Sequence, residues 1–390
     1  MSWFRLFVGE CRAIFTNPAI VLIVFVGVIF YSFLYPLPYS RRIPIEQRVV
    51  AVNLDGSQLS RQLERMVDAT PQVRLVERAA SLDAARRILL ARHLAGILVI
   101  PEHFSRDLLL GRQPVLSLAG DATYFLVSGT VLEGMNAAAR AMAAVTRAGQ
   151  LLRNGAPPSG IAAQLTAVRL NIRPVFNNGM GYVQYVIPAV FVLILHQTLV
   201  MAAGILTSSQ TGATGRDEGG YWREYPAWRL LAGRYLIFGL IYAGLALYYF
   251  GPALAMYGID RRAGIGALWA LILPFLLAAI AVGILLGRLL ARPERVTLVV
   301  LLSSMPLVFA SGFIWPEAAI PSYINQVVLL VPAIPAIKAF TLLNQMGAGL
   351  AAIVPLLGQL WLLALGYGLL AWWQLGRGQA MPVADWPRRS

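Results

Sequence analysis

Long stretches with almost no charge alternate with one extended polar segment along this chain. A run of about 20 apolar residues matches the hydrocarbon thickness of a bilayer. Six such runs are read, at about 19–35, 182–206, 235–256, 267–290, 297–313 and 350–373. A further apolar stretch, 327–339, is interrupted by Pro332 and Pro335. It is too short to cross and predicts re-entrant or interfacial helices. Residues 2–15 repeat at helical spacing: Trp3, Phe4, Phe7, Val8, Cys11, Ile14 and Phe15 share one face, Ser2, Arg5, Gly9 and Arg12 the other, with Glu10 at the border. Such a helix can lie in the membrane interface. Thr16-Asn17-Pro18 breaks it, with Thr16 or Asn17 as a cap and Pro18 suited to the first turn of the next helix.

Residues 37–180 have a different rhythm. Strands are predicted at Val49–Val52, Val73–Val76, Leu94–Ile100, Val115–Leu118 and Val168–Ile172, and helices at Ser57–Val67, Ser81–Ala91, Pro101–Leu110 and Thr123–Leu152. Alternation of this kind implies a small α/β sheet. Leu94–Ile100 is apolar throughout, as expected of a strand covered on both faces. The predicted fold class is therefore an α-helical polytopic membrane protein of six transmembrane helices. An α/β extracytoplasmic domain is inserted between the first and second spans. The expected divisions are a cytoplasmic interfacial helix (1–17), the first span (18–36), the inserted domain (37–180), a five-helix membrane region (181–376) and a cytoplasmic tail (377–390).

Composition agrees with that pattern. Hydrophobic residues make up 58% of the chain and charged residues 13%, against about half and a quarter in soluble domains. A net charge of +14 would point to nucleic acid in a soluble chain, yet no basic helix face or stacking platform is present. The arginines follow topology instead. With the N-terminus cytoplasmic, the inside segments carry twelve basic residues, Arg216, Arg223, Arg229 and Arg234 among them, and the short outside loops only Arg261, Arg262 and Lys338. That asymmetry sets the orientation. The inserted domain has 17 basic and 10 acidic residues, a long-range field that favours anionic lipid or an acidic partner. The first apolar run ends in Tyr35-Pro36-Leu37-Pro38-Tyr39 without a small-x-small cleavage site, so it reads as a retained anchor. The single Cys11 forms no internal disulfide, and His93, His103 and His196 are scattered, so no metal site is expected.

There is no GxxxxGK[ST] phosphate loop, no catalytic constellation and no acid cleanly inside a span. Ion-coupled transporters usually need intramembrane acids or lysines, so the energy is expected from elsewhere. Two local stretches then carry a resemblance. LNIRPVFNNGMGYVQYVIPAVFVLILHQTLVMAAG leads into a span with an early proline, Pro188. SSMPLVFASGFIWPEAAIPSYI closes the fifth span with a Ser-Gly-aromatic element. With the order of elbow helix, span, large domain and five further spans, the whole chain resembles a permease subunit of the ABC-2 family of ATP-binding-cassette exporters. One departure is the loop TSSQTGATGRDEGGYWREYPAW, which lacks the Gly-Thr-x-x-x-Leu run of many relatives.

The resemblance implies that this chain is no enzyme and binds no cofactor itself. ATP and Mg would sit on a separate cytoplasmic ABC ATPase subunit. A second permease copy or a paralogue and a periplasmic adaptor are the further implied partners. Mixed charge and aromatics in the loop suit a protein interface, making Arg216, Asp217, Glu218, Tyr221, Trp222, Arg223 and Glu224 the ATPase-coupling candidates, with Glu10 and Arg12 of the elbow contributing to the same surface; the bland reading is a solvated loop. His196, Gln197, Ser303, Ser304 and Ser311 are the translocation-path candidates, against the alternative of hydrogen bonds that join helices. Gly283 and Gly287 form a GxxxG packing motif. Glu317 reads as a solvated loop acid, with capping of an outer gate as the functional reading. The reading from another class is a membrane-anchored receptor or assembly scaffold, although five further spans exceed what anchoring requires.

Overall fold

The computed structural model describes residues 2–37, 45–121, 125–155, 157, 182–211, 221–315 and 317–380. The chain divides into two compact units, one formed by Met1–Ser40 with Pro174–Ser390 and the other by Arg41–Arg173. The expected strand at 168–172 lies outside the described residues.

In the second unit, β1 (Gln47–Asn53), β2 (Val73–Ala79), β3 (Gly96–Ile100) and β4 (Ser117–Gly120) form one sheet in the order β2-β1-β3-β4. β1 runs parallel to β2 and β3, and β4 antiparallel to β3. Alternate side chains of a strand point to opposite faces. Val49 and Ala51 of β1 accordingly meet Leu63 and Val67 of α3 (Gln58–Asp68) and Val131 and Met135 of α6 (Phe125–Arg153), while Val50 and Val52 pack with Ala85 of α4 (Leu82–Arg92) on the other side. The short α5 (Phe104–Leu109) adds Phe104 to the first core. Ser57 and Ser81 cap α3 and α4 by accepting from Ser60 N and Ala84 N at 3.0 and 3.2 Å, leaving fewer orphaned donors at each helix start.

In the other unit, α1 (Trp3–Phe15) meets α2 (Pro18–Leu34) at a bend of 78°. Asn17 accounts for the break, its side chain accepting from Ala19 N at 3.1 Å and Ile20 N at 3.3 Å. Among the described residues, five helices are long and apolar enough to cross a membrane: within α7 (Tyr182–Thr211), in α8 (Ala227–Met256), α9 (Ile265–Leu290) and α10 (Pro293–Ala310), and within α13 (Leu350–Ala380). Two bent pairs, α1 with α2 and α11 (Ser322–Val328) with α12 (Ala333–Gln345, bent by 96°), raise the range to seven. The fold is thus that of a polytopic helical membrane protein with five to seven candidate spans. The third predicted span begins earlier than expected, at Ala227, so Arg229 and Arg234 lie within its helix rather than in a loop.

α7 is the axis of this unit and is almost wholly enclosed. The GxxxG of α9 seats it. A Cβ on Gly283 would stand 2.6 Å from Val200 O, and one on Gly287 would stand 2.5 Å from Gly204 O. Only glycine permits that backbone approach. By contrast α10 and α13 bury little of their apolar surface, as lipid-facing helices do.

Candidate functional site

α1 carries more than one stripe. Leu6, Glu10 and Ile14 recur every fourth residue and are buried, while Trp3, Phe4, Val8 and Phe15 face outward. The face read as apolar is thus split, with Ile14 turned inward and Trp3, Phe4, Val8 and Phe15 left on the outer side, as a helix lying in the membrane interface requires. The buried stripe corrects the expectation that Glu10 contributes to a docking surface. Its side chain is 0% exposed and faces Arg234 of α8, itself 1% exposed, with carboxylate oxygen and guanidinium Nε 3.5 Å apart. A charge removed from water this completely must be paired or bonded. The remaining Arg234 nitrogens are taken up by α7, where Nη1 donates to Thr207 Oγ1 at 2.9 Å and Nη2 donates to Gln210 Oε1. Gln210 Nε2 in turn donates to the Tyr221 hydroxyl at 3.2 Å.

Tyr221 opens a short 3-10 turn, Tyr221–Glu224. Burial pushes its hydroxyl far above the usual tyrosine pKa, and the neighbouring Glu10 carboxylate raises it further, so it remains a neutral phenol. One polar cluster therefore joins α1, the end of α7, the Tyr221–Glu224 turn and α8. Gly9 lets α1 sit directly on the Tyr221 ring, since a Cβ there would lie 2.8 Å from Tyr221 Cδ2. Arg229 reinforces the same seat, its guanidinium 5.8 Å from the Trp3 ring and 5.1 Å from the Trp228 ring.

Among the coupling residues proposed from sequence, Tyr221 and Trp222 are half-buried and Arg223 and Glu224 exposed. Arg223 lies over the Trp222 ring at 5.0 Å. Arg12 is exposed on α1. Arg216, Asp217 and Glu218 lie outside the described residues. Arg234, Thr207 and Gln210 were missed. Once the helix is seen to start at Ala227, Arg234 lies about two turns inside it, where an ionisable residue ordinarily has a partner.

The translocation-path candidates fall on α7 and on α10 and its C-terminal end, two helices that pack against each other. His196 is buried in α7 with Phe275 of α9 6.2 Å away between ring centroids. Among the described residues neither of its ring nitrogens has a hydrogen-bond partner, so the helix-joining bond weighed as the alternative is not formed. Gln197 is half-buried beside it in sequence. Ser303 and Ser304 of α10 both donate to Val300 O, at 2.8 and 3.0 Å, and Ser311 donates to Val308 O at 2.6 Å. These hydroxyls satisfy themselves on their own helix. Glu317 is not a free loop acid, for Lys338 of α12 donates to it at 2.6 Å and Asn325 of α11 at 3.0 Å.

Among the described residues no group of three or more His, Cys, Asp or Glu could hold a metal. The site's chemistry is a buried ionic network that binds four segments together. A family model described as "ABC-2 family transporter protein" matches residues 18–373. No curated relative matches the chain.

Proposed function

Since the chain belongs to the ABC-2 family of transporter proteins and is a permease of an ABC transporter, we propose that it is the membrane subunit of an exporter driven by a separate cytoplasmic ATPase. In this reading six helices cross the bilayer with the N-terminus cytoplasmic, in a bacterial inner membrane. α11 and α12 form a re-entrant pair on the outer side. The unit Arg41–Arg173 is extracytoplasmic, where it meets a periplasmic adaptor or shapes the exit. A second copy of the chain or a paralogous permease completes the pore. ATP and Mg belong to the partner ATPase.

The observation that carries this reading is the network of Glu10, Arg234, Gln210 and Tyr221. It fixes the elbow helix, a membrane helix end and the Tyr221–Glu224 turn to one another. A push on that turn moves α1, α7 and α8 together, because packed polar cores rearrange between discrete states rather than deforming smoothly. Arg223 and Glu224, with Arg216, Asp217 and Glu218, supply the charged contact surface. Glu10 and Tyr221 transmit from behind it.

Affinity purification of the tagged chain from its native membrane, with mass spectrometry of retained proteins, tests the proposal. A stoichiometric subunit carrying a phosphate-loop sequence supports it. Its loss on replacing Arg216, Asp217, Glu218, Arg223 and Glu224 by Ala, with the fold intact, assigns the surface. A stable preparation free of any ATPase in several mild detergents sinks it and brings forward the receptor or scaffold reading.

A further inference from the structure

Beside the network, on the open side of α1, lies a groove of approximately 710 Å³. One wall is α1, with Phe4, Arg5, Val8 and Arg12; the facing wall is Ser209 of α7 and Trp222. That volume falls in the range of small-molecule sites, about 300–1,000 Å³. Its lining mixes the basic Arg5 and Arg12 and the polar Ser209 and Gln210 with the apolar Phe4, Val8 and Leu206. Arg5 and Arg12 are both exposed. Among the described residues neither guanidinium has an acidic partner, although nine ion pairs form elsewhere. The only acid between them in sequence, Glu10, is turned inward and committed to Arg234. Two uncompensated cations thus remain beside Phe4 and Val8, which are 73% and 46% exposed.

We propose that this groove binds the phosphate headgroup of an anionic phospholipid, Arg5 and Arg12 clamping the phosphate while the acyl chains run along Phe4 and Val8. The chemistry follows from the parts. Arginine pairs with phosphate oxygens through its fork of N–H donors. An interfacial amphipathic helix gains from apolar burial and from attraction to anionic lipid. The two arginines are offset by about two turns of α1, so they reach one headgroup from both ends of the groove. A free inorganic phosphate would satisfy the cations but leave Phe4 and Val8 in contact with nothing. The occupant would wedge between α1 and Trp222, so its presence would set how α1 rests on the Tyr221 turn. The inference rests on the chain lying in a membrane and not on the ATPase reading, so either can fail alone.

The test uses the full-length protein, purified and titrated with phosphatidylglycerol or phosphatidylcholine, with bound lipids counted by native mass spectrometry. The unmodified chain is expected to retain phosphatidylglycerol in preference to phosphatidylcholine, and Arg5→Gln/Arg12→Gln to weaken that retention about thirtyfold, given the usual contribution of each basic residue near an anionic surface. Arg261→Gln/Arg262→Gln, at the far end of α8, serves as the charge-matched control and should leave it unchanged. If the double variant fails to fold, Ser209→Glu keeps the question open to measurement. It places a carboxylate in the groove from an exposed position and should abolish the preference. Equal retention of both lipids by the unmodified chain overturns the proposal, as does undiminished phosphatidylglycerol binding in Arg5→Gln/Arg12→Gln or Ser209→Glu. Complete displacement by inorganic phosphate at equimolar concentration would assign the groove to a free anion and overturn the lipid assignment.

Discussion

Each unit of this protein holds a buried glutamate against an arginine, and the two pairs are built oppositely. In the α/β unit, Glu64 is 3% exposed, but its Arg78 partner is 70% exposed. Arg78 Nε donates to one Glu64 oxygen at 2.7 Å and Asn53 Nδ2 donates to the other at 2.8 Å. In the helical unit both Glu10 and Arg234 are sealed, and their closest approach is 3.5 Å. The first pair keeps one foot in water, and each carboxylate oxygen has its own short bond. The second has both partners sealed from solvent. Surface-linked pairs contribute little. Sealed pairs are costly to build and more costly to break. A pair of the second kind adds little net stability over an apolar pair of the same volume, yet here it ties α1 to α8 and, through Arg234 and Gln210, to α7 and the Tyr221 turn.

The largest expected effect comes from breaking the sealed pair from one side. Glu10→Ala leaves Arg234 buried and unbalanced, and Arg234→Ala does the same to Glu10. Each should lose about 3–5 kcal/mol, read as a fall in the thermal unfolding midpoint in detergent. Glu10→Met/Arg234→Met removes both charges and should recover a large part of that loss. Recovery will be incomplete, because Thr207 and Gln210 lose their donor and a polar group left unpaired in the interior has its own cost. A double variant no better than either single one would show that the network acts through packing rather than charge.

Next in size is the glycine crossing that holds α7, the helix supplying Thr207 and Gln210. Gly287→Val drives a branched side chain into Gly204 O and Thr207 Cβ, which already stand 2.5 and 2.7 Å from an added Cβ. Overpacking of this kind costs about 1–3 kcal/mol. Gly366→Ala on α13, with nothing within 4 Å, should change the stability by no more than about 0.5 kcal/mol in the same assay. Equal effects at the two sites would mean that α9 and α7 do not cross where they are placed.

Arg78→Ala opens the half-solvated pair and should cost about 1 kcal/mol. The readout is hydrogen exchange in peptides covering Gln47–Asp68, since Asn53 and Glu64 join β1 to α3. A loss as large as that of Arg234→Ala would erase the distinction between the two pairs.

How far these features could be read in the chain depends on whether their signal is local. The strand runs at Val49–Val52 and Val73–Val76 are valine-rich, the second alternating with Arg74, so they were legible, and β1 and β2 enclose them. The Asn17 cap and the Gly283/Gly287 contact were legible for the same reason. The inward stripe of α1 was not. Trp3, Phe4, Val8 and Phe15 are as apolar as Leu6 and Ile14, and hydropathy does not separate a side that meets lipid from one that meets protein. Nor was the Glu10–Arg234 pair, which joins helices remote in sequence. Arg234 was visible only as one more positive charge on the inner side, the property the topology rule counts. Serines 303, 304 and 311 were singled out by the family resemblance, and their bonds to Val300 O and Val308 O are ones a helical serine makes on its preceding turn whatever it faces.

The smallest expected effect concerns a third glutamate, and it tests the same rule at the exposed extreme. Glu317 is 53% exposed and bonds Lys338 at 2.6 Å. The hydrogen bonds from Lys338 and Asn325 hold its carboxyl below the ordinary 4.5, and partial burial opposes them. Because the folded value is lowered, the pair's contribution is complete above pH 4.5 and is lost as pH falls through the folded value. Exposure limits that contribution to a few tenths of a kcal/mol, about what solvent-facing pairs supply. Hydrogen exchange across Ser322–Val328 should therefore accelerate slightly between pH 5.5 and about pH 3, beyond the intrinsic change, in the unmodified protein. Lys338→Gln should flatten most of that dependence, leaving the part due to Asn325. Acceleration on raising the pH instead would reverse the sign required by a stabilised carboxylate, and a loss comparable to that of Glu10→Ala would mean that exposure does not set the cost of breaking these pairs.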